Sequence, residues 1–232
     1  MLNLRDLKVI YEDNHLIAVN KPSGWLVQGD RTGDTPLSDY VKAYIKKKYK
    51  KPGDVYLGVI HRLDRPVSGV VVFARTSKAL TRMNKLFQDR EVEKQYWACV
   101  AERPKPIEGR LKHYLIKDKE RNVAKAFDKP SNRNKGAKES ILDYKLLSSV
   151  GDHHLIEVRP LTGRPHQIRV QLSRLGCPIR GDLKYGFKRA NQDNSIHLHC
   201  KSLAFVHPVK KEPLKIKAKE PNEQVWRMLL DK

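Results

Sequence analysis

The chain has 232 residues and sets 47 Lys and Arg against 26 Asp and Glu, a formal net charge of +21. That length holds one large domain or two small ones, and that charge exceeds what solubility needs. It points to a polyanionic partner, nucleic acid before membrane. No apolar run approaches the roughly 20 residues of a membrane span, and Met1–Asp6 does not read as a signal peptide. Cys99, Cys177 and Cys200 are odd in number and far apart, which suits reduced thiols in the cytoplasm rather than a disulfide framework or a zinc site.

In chain order, Leu7–Tyr11 and Leu16–Asn20 are short apolar runs joined by Glu12-Asp13-Asn14-His15, a hairpin with Asx turn chemistry. Lys21-Pro22-Ser23-Gly24 breaks the second strand, and residues 28–35 form a polar loop. From Pro36 to Lys50, Leu37, Tyr40, Val41, Tyr44 and Ile45 keep helical spacing until Pro52-Gly53 stops the helix. Its lysines, Lys42, Lys46, Lys47 and Lys50, form a solvated face first and a nucleic-acid-facing one second.

The stretch Gly58–Ala79 organises the rest. His61, Arg62, Leu63 and Asp64 follow a short apolar run, and Arg65-Pro66-Val67-Ser68-Gly69 turns the chain into Val70–Ala74. An aspartate between arginines at a sheet edge suits an ionised carboxylate, a nucleophile rather than a general acid. On spacing alone, capping the turn with solvated arginines beside it is the commoner role for such a residue. Val70–Phe73 is apolar at every position, so this strand is expected to be central and buried on both faces. Thr76 and Ser77 offer caps for a helix with Ala79, Leu80, Met83, Leu86 and Phe87 in one stripe.

Gln95–Ala101 returns as a strand that puts Tyr96 on one face with Ala98 and Val100. Lys117–Glu139, rich in Lys, Arg and Asn, reads as an exposed, partly mobile connection between strands. Ile141–Leu147 and His154–Val158 pair around Ser148-Ser149-Val150-Gly151-Asp152. A helix is expected over Arg164–Leu175, with Ile168, Leu172 and Leu175 inward and Gly176 as its stop. Its start, with Arg164, His166 and Gln167, suits phosphate or carboxylate binding. Arg169 at the edge of the buried face needs a carboxylate, for which Asp64 is a candidate. Gly181-Asp182 and Tyr185-Gly186 are turns, His197–Val206 is a strand, and Pro221 opens a last helix with Val225, Trp226, Leu229 and Leu230 inward. His197 and His199 lack the further ligands of a metal centre, and no phosphate-binding glycine loop or nucleophile elbow is present.

Taken together, these stretches resemble the RluA-type family of RNA pseudouridine synthases over nearly the whole chain. HRLDRPVSG is similar to the family's H-R-L-D-x-x-T-S-G signature, and VEKQYWACV to its tyrosine-bearing strand. GRPHQIR, GDLKYG and LHCKSLAFVHP follow in the family's order, and YEDNHLIAVNKPSGWLV resembles its opening hairpin. The resemblance implies a mixed α+β fold with a bent, mainly antiparallel sheet, flanking helices and a central basic cleft. It makes Asp64 the catalytic carboxylate, Tyr96 the tyrosine stacked in the uridine pocket, and Arg169 the ion-pair partner of Asp64. His61, Arg62, Arg164, His166 and Gln167 become substrate contacts, with Arg62 filling the space a flipped uridine leaves. The chemistry needs no cofactor and no metal, the partner is ribosomal or transfer RNA, and nothing demands more than a monomer. Val67 stands where the family has Thr, and Gln171 where it has His. The expectation is one catalytic domain over residues 1–232 without a small N-terminal RNA-binding domain. A silent RNA-binding or ribosome-assembly factor on the same fold is the rival reading, and a phosphodiesterase lacks the metal ligands or paired histidines it would need.

Overall fold

The computed structural model describes residues 4–230; the first three residues of the Met1–Asp6 stretch and the last two of the chain lie outside the described residues. In chain order the elements are β1 (Lys8–Glu12), β2 (Leu16–Lys21), α1 (Leu37–Lys48), β3 (Gly58–Val59), β4 (Ser68–Ala74) and α2 (Ser77–Gln88). There follow β5 (Glu93–Val100), β6 (Glu108–Asp118), β7 (Val123–Phe127), β8 (Lys138–Val150), β9 (His153–Pro160) and α3 (Gln167–Arg174). The chain closes with β10 (Leu198–Val206), β11 (Pro213–Lys217) and α4 (Gln224–Leu230). This is a mixed α+β fold of mostly antiparallel strands with few helices, as expected. It groups into two compact units: residues up to Glu93 with Cys200–Glu220, and Lys94–His199 with the segment from Pro221 onward.

In the first unit, β4 is the centre. All of its residues are buried, as its unbroken apolar run requires. It pairs antiparallel with β2 in a register that sets Ile17 opposite Phe73 and Val19 opposite Val71. Gly69 has φ +117°, and a Cβ there would collide with the Cys200 backbone, so only glycine lets β10 approach this point. The β1–β2 turn closes as the Asx chemistry predicts: Asp13 Oδ1 accepts from the N–H groups of His15 and Leu16, each at 2.8 Å. Thr76 caps α2 by accepting from Ala79 N–H at 3.2 Å. In the second unit the strands run β5-β9-β8-β6-β7, each pair antiparallel. Trp226 and Leu229 of α4 pack on Cys99 and Leu155.

Two expectations need correction. The Lys117–Glu139 stretch is not a bare connection: it carries β7 paired with β6, and a short 3-10 turn at Asn132–Asn134 held by a reciprocal Ser131–Asn134 cap. Ala124 of β7 is buried with Leu115, Val170 and Tyr185, a cluster too sparse in apolar residues to stand out from its lysines. The helix expected from Arg164 starts only at Gln167, because His166 takes a left-handed conformation with φ 55°.

His207 joins the β1–β2 turn to the loop between β10 and β11. Its Nδ1 accepts from Val209 and Lys210 N–H at 3.2 and 2.9 Å, which requires an unprotonated Nδ1. Its Nε2 stands 3.0 Å from Asp13 Oδ2, which also receives Tyr11 Oη and Lys210 Nζ. Burial pushes the His207 pKa below its ordinary value; Asp13 opposes this, while Lys210 and His15 add to it. A folded pKa below the unfolded one favours the neutral ring, so this stability is present above about pH 6.5 and is lost as pH falls toward the folded value. Thermal unfolding should therefore show the parent losing stability between about pH 7 and pH 5, more steeply than His207→Asn. Equal slopes would remove this role for His207.

Candidate active site

Residues 60–67 form the loop that enters β4. Leu63 is buried and pins the loop, leaving Arg62 exposed on one side and Asp64 half-buried on the other. The Val67 N–H donates to Asp64 O at 3.0 Å and closes the turn. Val67 is itself buried, so its β-branched side chain serves packing where the family's Thr would add a hydroxyl. The flanking arginines do not bond Asp64. Arg62 makes no hydrogen bond or ion pair among the described residues. Arg65 turns away, donating from Nε to Gly24 O at 3.0 Å and pairing with Asp34 at 2.7 Å.

The nearby cation that sequence reading passed over is Lys21, taken there only as part of a strand-breaking run. It has no exposed surface, and its Nζ donates to the carbonyls of Trp25 at 2.7 Å, Pro22 at 3.0 Å and Arg65 at 3.1 Å. Three ammonium hydrogens thus meet three acceptors, which is what burial of a charge demands. Burial pushes its pKa down to about 7; the Asp64 charge pulls it up and Arg65 pushes it further down. Ser23 Oγ adds a bond to Pro66 O at 3.0 Å, and Gly24 N–H one to Arg65 O at 2.9 Å. The loop after β2 and the loop carrying Asp64 are therefore one bonded body. A lysine closing an apolar strand before a proline was the only sequence signal for it.

His61 is half-buried where the loop meets β4. Its Nε2 accepts from Val72 N–H at 3.0 Å, and its ring stacks on Phe87 with centroids 5.2 Å apart. That use of Nε2 makes His61 a brace between the loop and β4.

The second unit holds the other site residues. Tyr96 is half-buried on β5, opposite Val158 of β9. Arg169 on α3 is 5% exposed and grips Asp182, itself 1% exposed, through Nε–Oδ2 at 2.7 Å and Nη2–Oδ1 at 2.8 Å. Its guanidinium also lies over the Tyr185 ring at 5.0 Å. Tyr185 Oη accepts from Ala124 N–H at 2.8 Å and lies 2.7 Å from Nδ1 of buried His166. Asp182 and Tyr185 read from sequence only as turn residues, since nothing in their spacing ties them to α3. Gln167 is buried too: its Oε1 accepts from Thr162 Oγ1 and Arg164 N–H, and its Nε2 donates to Ile141 O. His166 and Gln167 thus shape the start of α3, while half-exposed Arg164 donates Nε to Glu139 O at 3.3 Å. Gln171, at the family's His position, ties α3 to the sheet through Leu111 O, Ser140 O and His113 Nδ1. Among the described residues no group of three His, Cys, Asp or Glu is placed to hold a metal ion.

Arg169→Ala should destabilise the fold by about 3–5 kcal/mol in denaturant titrations, because it leaves the Asp182 carboxylate buried without its counter-charge. A double variant, Arg169→Met with Asp182→Leu, should recover much of that loss. An Arg169→Ala protein as stable as the parent would show that the pair holds nothing.

The family described as RNA pseudouridylate synthase matches residues 15–174. A tRNA pseudouridine synthase C from Vibrio cholerae is 31% identical over 97% of this chain and 94% of its own length. A ribosomal large subunit pseudouridine synthase C from Rickettsia prowazekii is 33% identical over 92% of this chain and 68% of its own length. Among solved structures, Human RNA Pseudouridylate Synthase Domain Containing 4 has a TM-score of 0.76 at 28% identity, covering 93% of this chain and 89% of that one. With the family match spanning most of the sequence, and both the HRLD loop and the start of α3 inside it, this chain belongs to the RNA pseudouridylate synthases, isomerases that convert uridine to pseudouridine in RNA.

Proposed function

We propose that the chain isomerises uridine in structured RNA, ribosomal or transfer, with Asp64 as the catalytic carboxylate. The observation that carries this is the placement of Asp64 itself. It is a half-buried carboxylate on a loop locked to a buried strand, two residues from an exposed, unpaired arginine, in a chain of net charge +21. A carboxylate there repels phosphate, so binding alone gives it no purpose, whereas a reaction at the base does. The relatives' names, tRNA and ribosomal large subunit pseudouridine synthase, supply the two RNA classes.

In the reaction the N1–C1′ bond breaks, the base turns, and a C5–C1′ bond forms while C5 gives up its proton. Asp64 acts on a uridine already out of the stack, either at C6 of the ring or at the sugar through a glycal-type intermediate. Arg62, exposed beside it, occupies the space the flipped uridine leaves. Tyr96 stacks on the base and assists removal of the C5 proton. Arg169 takes the counter-ion role toward Asp64 that the family resemblance assigns it, with Asp182 fixing its orientation. Lysines and arginines exposed on α1 and around β7 meet the phosphates, so binding weakens steeply with salt.

Tritium release from RNA labelled at C5 of uridine, taken from cells lacking this gene, tests the reading. The parent should release tritium, and Asp64→Asn should fall to background with RNA affinity changed by no more than a few-fold. Loss of binding in step with activity would make Asp64 structural. Tight binding by the parent with no release from any RNA fraction would favour the silent RNA-binding factor.

A further inference from the structure

The loop that braces Asp64 also builds a cleft that none of these roles uses. It has a volume of about 220 Å³ and is lined by Gly24, Trp25, Leu26, Asp34, Thr35 and Tyr40. Trp25 and Tyr40 lie against each other with centroids 4.4 Å apart and planes tilted by 36°. Both are half-buried, and neither the Trp25 indole N–H nor the Tyr40 hydroxyl has a hydrogen-bond partner among the described residues. An aromatic pair left partly open, with its polar tips unspent, is a stacking surface with spare donors. The cleft is bonded directly to the Asp64 loop: Gly24 bonds Arg65 through both its N–H and its carbonyl, and Asp34 at its rim pairs with Arg65 at 2.7 Å.

We infer that this cleft is a second base site, in which an unpaired nucleobase flanking the target uridine stacks on Trp25 and Tyr40. Stacking suits any base face, and the Asp34 carboxylate at the rim accepts from a base edge that carries N–H groups. RNA is favoured over a proline-rich peptide, the other ligand of aromatic grooves, because the groove adjoins the loop of an RNA isomerase in a strongly basic chain. Trp25 is thereby a positioning and specificity residue: it holds the strand so that the adjacent uridine reaches Asp64.

This inference rests on the reading of the chain as an RNA uridine isomerase, and its test separates the two. Parent, Trp25→Ala and Trp25→Phe are compared on the RNA that the parent modifies, then on oligonucleotides with an abasic nucleotide on either side of the target uridine. Trp25→Ala should raise KM about tenfold with kcat within about twofold, from the loss of one stacked base. Trp25→Phe should restore most of it, and the salt dependence should stay parental because no phosphate contact is lost. An abasic neighbour should raise KM for the parent by a similar factor and add nothing in Trp25→Ala. Parental kinetics in Trp25→Ala, or an abasic penalty that persists undiminished in it, would overturn the base site while leaving the isomerase intact. If the parent modifies no RNA, the isomerase reading fails and binding of a mixed-sequence single-stranded RNA decides. Weaker binding by Trp25→Ala supports the site, and equal binding overturns it. Quenching of tryptophan fluorescence by a proline-rich peptide and not by RNA would also overturn it.

Discussion

The Lys21 ammonium, wholly removed from water, can persist only because three carbonyls take its hydrogens. Those carbonyls belong to Pro22, Trp25 and Arg65, so one charge closes the loop after β2 upon itself and upon the segment that carries Asp64. A charge buried in this way tolerates little displacement, since losing an acceptor leaves a donor without water or partner. The geometry of the loop that carries Asp64 is therefore set in part by Lys21 at the end of β2. Gly69 supplies the complementary constraint at the other end of the loop, where β10 passes too close for any side chain.

The second unit is organised on the same principle with the signs exchanged. The Asp182 carboxylate is buried against the Arg169 guanidinium, Tyr185 packs on that guanidinium, and the Tyr185 hydroxyl reaches Ala124 and His166. Turn, helix and edge strand meet at one ion pair. In both units, polar side chains near these pairs bond neighbouring backbone and side chains: His61 accepts from Val72 N–H, and Gln167 bonds Thr162 and Ile141. The groups left exposed and unpaired, above all Arg62, are those with capacity for RNA.

What could be read from the sequence follows from which physical signals are local. The opening hairpin, the all-apolar β4, the Thr76 cap and the apolar stripes of α1 and α2 are periodic or adjacent in sequence, and each formed where expected; α4 carries its expected residues but begins at Gln224, three residues after Pro221. Strands β6, β7 and β11 lack a strong apolar signal because their inward positions are few and set among charges: Lys112, Lys125 and Lys215 take the exposed positions between Leu111 and His113, Ala124 and Ala126, and Leu214 and Ile216. The start of α3 was misplaced because a left-handed histidine leaves no trace in composition. Asp64, Tyr96 and Arg169 stand out by local pattern, and the roles proposed for them come from a resemblance whose motifs are contiguous. Lys21 and Asp182 were not singled out, because their roles depend on burial and on partners distant in the chain.

If Asp64 is the catalytic carboxylate proposed above, the Lys21 ammonium positions it for the reaction. Lys21→Met keeps the aliphatic stem and removes the three donors, so its single-turnover rate at saturating RNA measures how far Asp64 depends on them. The rate should fall about a hundredfold, with RNA affinity within a few-fold of the parent, as for a misplaced reacting group. A folded Lys21→Met protein that isomerises uridine at the parental rate would contradict that positioning.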